Sequence, residues 1–89
     1  MRARKVDATQ AAIVTALRRS GALVWALNGA VDLIVQWRGR LTLIDCKSPR
    51  GKATDTQRDM IAQGWQIHFC KTSTEAYEAV GIPPRARIG

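Results

Sequence analysis

Cysteine and histidine are scarce in this chain: 89 residues hold Cys46, Cys70 and the single His68, with no CxxC spacing. So thin a supply of soft ligands argues against a zinc site and against a disulfide framework. Each cysteine sits in or beside an apolar run and is expected to act as a small core hydrophobe. Long hydrophobic stretches are missing too, none approaching the roughly 18 residues that span a bilayer. The basic start MRARKV leads into no signal-type apolar segment, so a cytosolic setting is expected. Repeats and low-complexity tracts are absent, and so short a chain has room for one core and one domain.

Acidic residues are the other shortage. Seven Asp and Glu face 14 Lys and Arg, a formal charge of +7. Such an excess favours polyanions, because neutralising phosphates releases condensed counterions. The basic residues are spread along the chain rather than gathered on one amphipathic helix, which favours nucleic acid over a membrane surface.

Hydrophobic periodicity orders the chain as α-β-β-β-α-β-α. After a basic arm (Met1 to Val6), Asp7 can cap a helix carrying Ile13 and Leu17 at helical spacing, and Gly21 ends it. Ala22 to Leu27 reads as a strand bounded by the Asn28-Gly29 turn. Val31 to Trp37 and Leu41 to Lys47 are β-rich runs joined by Arg38-Gly39-Arg40, short enough to force an antiparallel hairpin. Thr54 or Asp55 then caps a helix stopped by Gly64, and Trp65 to Cys70 is a further strand. Thr72 or Ser73 caps a last helix through Tyr77 and Val80, before a basic tail (residues 82–89) expected to be mobile.

The chemistry concentrates on the hairpin. Side chains alternate along a strand, so Asp45 and Lys47 share a face and Cys46 points to the other. A two-residue Arg38-Gly39 turn pairs Trp37 with Arg40 and sets Asp32 opposite Asp45, with Cβ atoms about 5 Å apart. A three-residue loop with a bulge would shift that pairing by one. Both strands are apolar on both faces, so they read as central, with their charges buried. Two carboxylates facing each other there repel unless a cation lies between them. Oxygen-only ligands, with the Cys46 backbone carbonyl as a further donor, suit Mg²⁺ or Mn²⁺. Lys47 on the same face could hold an attacking water or offset charge at a scissile phosphate.

Gly29-Ala30-Val31-Asp32, the twelve-residue spacer Leu33 to Ile44, and Asp45-Cys46-Lys47 resemble the D-x(n)-(D/E)-x-K signature of the PD-(D/E)XK nuclease superfamily. Within it, the likeness is to small stand-alone VRR-NUC-type and phage nucleases, and it spans roughly Asp7 to Gly81. The resemblance implies a restriction-endonuclease-like α/β fold with a central mixed sheet flanked by helices. It also implies that Asp32 and Asp45 are the motif acids, that Lys47 is the catalytic lysine, and that Gln57 is the glutamine that follows it. Asp7 and Gln10 resemble the polar pair on the first helix that can add to the metal shell. Val31 stands where the family has proline, and Asp45 and Asp7 stand where glutamate is usual.

The activity expected is metal-dependent endonucleolytic hydrolysis of DNA in the cytosol of a bacterium or a phage-infected host. One metal centre per chain makes a two-fold homodimer the simplest way to cut two strands, and the family likeness points to branched or structured DNA. Arg50, Lys52 and Arg58 after the lysine strand, with Arg38 and Arg40 at the hairpin, are the expected phosphate contacts. Trp25, Trp37 and Trp65 are expected in the core or a dimer interface, and His68 is not expected to act as a base. The competing readings are a DNA-binding module that does not cut and a nuclease subunit that depends on a partner.

Overall fold

The computed structural model describes residues 8–87, and Asp7 lies outside the described residues. The elements are α1 (Ala8–Arg19), β1 (Leu23–Ala26), β2 (Leu33–Trp37), β3 (Arg40–Cys46), α2 (Asp55–Gln63), β4 (Ile67–Cys70) and α3 (Ser73–Val80). The order is the α-β-β-β-α-β-α read from the sequence, an α/β domain with one four-stranded mixed sheet arranged β1-β2-β3-β4. β1, β2 and β3 are antiparallel neighbours, and β3 pairs with β4 in parallel after the crossover through α2. This arrangement is consistent with a restriction-endonuclease-like core.

The hairpin turn decides the register. Arg38 (φ 51°) and Gly39 (φ 79°) both adopt left-handed backbone, the conformation that matches the twist of two antiparallel strands in a two-residue connection. Glycine adopts it without strain, and Arg38 stacks its guanidinium over the Trp37 ring at 4.9 Å. Trp37 therefore pairs with Arg40, and the ladder runs to Leu33 opposite Ile44. Asp32 and Asp45 occupy the next step of the same register, where the regular strand β2 has already ended.

Leu33, Val35, Ile44, Cys46 and Cys70 point to one side of the sheet, where Ile13 and Leu17 of α1 and Ala76, Tyr77 and Val80 of α3 close the core. Ile13 and Leu17 are one helical turn apart, the spacing that puts both on one stripe. Cys46 and Cys70 are register partners on β3 and β4, both buried in that core and not joined in a disulfide. Burial and then the Glu75 carboxylate push the Cys70 thiol up to about 11.

One expectation changes, and the placing of the tryptophans in a core or a dimer interface is narrowed. The segment after Gly81, expected to trail as a mobile tail, is placed against the core as far as Arg87. Ile82 is 1% exposed, Pro84–Ala86 form a 3-10 turn, and Arg87 donates from Nε to the Ile82 carbonyl while covering the Tyr77 ring. Of the tryptophans, only Trp37 packs on the core. Trp25 is 73% exposed and Trp65 53%. The reason is that α1 and α3 both cover the same side of the sheet, and the opposite side, with Leu23, Trp25 and Leu41, stays open.

Candidate active site

α2 is an exposed helix whose one buried residue is polar: Gln57 is 2% exposed. Local chemistry explains the start of the helix. Thr54 in extended backbone accepts from the Gln57 amide, and Gln57 Oε1 accepts from the Thr54 amide, a reciprocal capping box. Tertiary structure adds two further partners. Gln57 Nε2 donates to the Ala30 carbonyl (2.7 Å), and Oε1 also accepts from Lys47 Nζ (3.1 Å). One side chain thus joins the helix start, the loop before Asp32 and the lysine of β3.

Lys47 lies one residue beyond β3, where its amide extends the parallel pairing by donating to the Cys70 carbonyl (2.9 Å). Its Nζ lies 2.8 Å from Asp45 Oδ2, both side chains being largely covered. The alternation of the strand puts Asp45 and Lys47 on one side, as expected, and Asp45 is 5% exposed. Beneath them is Phe69, the register partner of Asp45, whose ring centroid is 5.5 Å from Lys47 Nζ. The lysine is therefore held from three directions, by a carboxylate, an amide oxygen and an aromatic face.

Asp32 is half-buried, and its Oδ2 accepts from the Cys46 amide at 2.8 Å. That bond ties the first acid to the peptide next to the second. The donors collected here are hard oxygens: two carboxylates, with the carbonyl of Cys46 in the intervening backbone. A divalent cation such as Mg²⁺ is satisfied by one or two carboxylates with water and substrate phosphate, so the residues fit such an ion. Among the described residues no group of three His, Cys, Asp or Glu could hold a metal.

The other expected residues fall in several places. Gln10, in the first turns of α1, is half-buried and lines a cavity with Val14, Val24 and Ala26. Arg50 and Lys52 are exposed on the loop between Lys47 and α2, a loop that Lys71 braces by donating from Nζ to the Pro49 carbonyl. Arg58 is exposed and paired with Asp55 at 3.0 Å, so part of its charge is offset locally. Arg38 and Arg40 sit at the hairpin tip, five ladder steps from the acids, about 17 Å away at the usual rise per residue. They cannot contact the same phosphate as Lys47.

Phe69 and the Ala30 carbonyl were not singled out from the sequence. For Phe69 the available signal was its parity: a parallel β4 in this register must set one of His68 and Phe69 beside Asp45. No family model matches the chain, and no curated protein or solved structure gives a significant match.

Proposed function

We propose that this chain is a divalent-metal-dependent endonuclease that hydrolyses phosphodiester bonds in DNA, selective for branched or structured substrates, and that it acts in the cytosol as a homodimer. The observation that carries the reading is Lys47 Nζ fixed between Asp45 and Gln57 at the strand end where Asp32 meets the Cys46 amide. An exposed salt bridge needs no buried glutamine to aim it, and a buried one gains little from adjoining a second carboxylate. Both make sense where charge must be placed with accuracy.

In this reading Asp32, Asp45 and the Cys46 carbonyl would hold Mg²⁺ or Mn²⁺, which supplies Lewis acidity toward the scissile phosphate. Lys47 donates hydrogen bonds to a non-bridging phosphate oxygen as negative charge builds there, and can hold the attacking water in line. Gln57 keeps the ammonium on that line through its Oε1, while its Nε2 anchors the Ala30 loop that precedes Asp32. Arg50 and Lys52 take up phosphates beside the cut. No helix among the described residues is long and apolar enough to cross a membrane.

The test is cleavage of labelled single strand, duplex, nicked, flap and four-way-junction DNA with Mg²⁺, Mn²⁺ or EDTA. Metal-dependent cutting that falls by about 100-fold or more in both Asp45→Asn and Lys47→Ala is expected. The charge of +7, with no third Asp, Glu, His or Cys grouped with Asp32 and Asp45 among the described residues, favours one alternative, a DNA-binding module that does not cut. That module would bind all substrates equally well with and without divalent ion, and no variant would change a product band.

A further inference from the structure

Trp65 follows the left-handed cap Gly64 of α2 and stands 53% exposed on the open side of the sheet. It separates two cavities and lines both. The nearer, about 350 Å³, is walled by Val31 of the loop leading to Asp32, by Leu43 of β3 and by Met60 of α2. The farther, about 640 Å³, runs past Leu43 and Trp65 toward Arg40 and His68. Leu43 and Asp45 project from the same side of β3 two residues apart, roughly 7 Å, so the nearer cavity adjoins the acid pair. Among the described residues no carboxylate lines either cavity, and Arg40 lines the farther one.

We propose that this groove takes an unpaired strand of the nucleic acid, with a nucleobase beside the scissile phosphate stacked on the Trp65 indole. The inference rests on the nuclease reading for its substrate and adds the class: DNA that is single-stranded on one side of the cut. An indole face accepts any base, because every base has a π-face. In a continuous duplex both faces of each base are covered by its neighbours, so only an unpaired or flipped nucleotide can reach Trp65. Carboxylate-free walls beside a chain of charge +7 suit a polyanion better than a neutral partner.

The experiment measures binding without cutting. A short labelled single strand and a blunt duplex are titrated in EDTA and in Ca²⁺ against the native chain, Trp65→Phe and Trp65→Ala, with sedimentation and circular dichroism on each protein. Trp65→Ala is expected to weaken single-strand binding by about 5- to 100-fold, with Trp65→Phe recovering most of it and duplex binding unchanged. Equal losses on both substrates, or no loss on either, would overturn the proposal. So would a shift from dimer to monomer in Trp65→Ala, which would assign the indole to a second copy of the chain. Stacking without any metal-dependent cleavage by the native chain would remove the nuclease reading and leave the strand groove. Cleavage with no Trp65 effect would do the reverse.

Discussion

Replacing Gln57 with leucine isolates the connection on which the site depends. Leucine keeps most of the buried volume but removes one acceptor shared by Lys47 Nζ and the Thr54 amide, and one donor to the Ala30 carbonyl. A hydrogen bond to a charged group contributes about 1.5 to 3 kcal/mol, and a neutral one about 1. Thr54 and Ala30 are exposed, so their freed backbone groups recover water and lose less than the full amount. Lys47 retains Asp45 at 2.8 Å. Leucine returns roughly 1 kcal/mol through its own apolar burial. The net expectation is a loss of about 2 kcal/mol. With a urea slope of about 1 kcal/mol per M for so small a domain, the midpoint should fall by about 2 M at unchanged slope. Cleavage, where present, should lose kcat rather than gain KM, because substrate contacts are untouched while the lysine loses its aim. A midpoint within about 0.5 M of the native value would refute the claim that Gln57 bridges the helix, the loop and the lysine.

Among the described residues, Thr42 Oγ1 is a buried side-chain polar atom without a hydrogen-bond partner. Thr42→Val should therefore raise stability by about 1 kcal/mol, read as a higher urea midpoint. Gly39→Ala places a Cβ on left-handed backbone in the hairpin turn and should cost about 1 kcal/mol by the same assay, although open space surrounds that position. Cys70 should resist a thiol reagent near pH 8 in the folded protein and react once denaturant is added. Its thiol holds the proton more tightly folded than unfolded. The associated stability is thus present below the ordinary thiol range and lost as pH rises through about 11, visible as a falling urea midpoint in alkaline buffer.

Much of the hairpin was legible in the sequence because its rules are local. A two-residue turn and a period of two are enough to align Trp37 with Arg40 and to bring Asp32 to the step beside Asp45. Helix boundaries followed for the same reason: Thr54 and Thr72 cap the starts of α2 and α3 through their own side chains, and Gly64 and Gly81 take the left-handed backbone at their ends. The capping box that Gln57 closes with Thr54 is equally local but was not singled out from the sequence, and only the fold gave Gln57 the Ala30 carbonyl, 27 residues away, and Lys47 as further partners.

The tryptophans show where local rules run out. The central strands are apolar on both sides, a pattern that says only that both sides avoid water, not which of them the helices will cover. α1 and α3 fell on the same side, so Trp37 was packed and Trp25 and Trp65 were left exposed. Phe69 beneath Lys47 likewise depended on the register of a parallel pair joined through α2, and no turn geometry specifies that register. Composition and alternation settled the secondary structure and the acid-lysine motif. The open groove, the aim of the lysine and the docking of Ile82 against the core were decided by long-range packing, because each depends on surfaces that meet only after the sheet has formed.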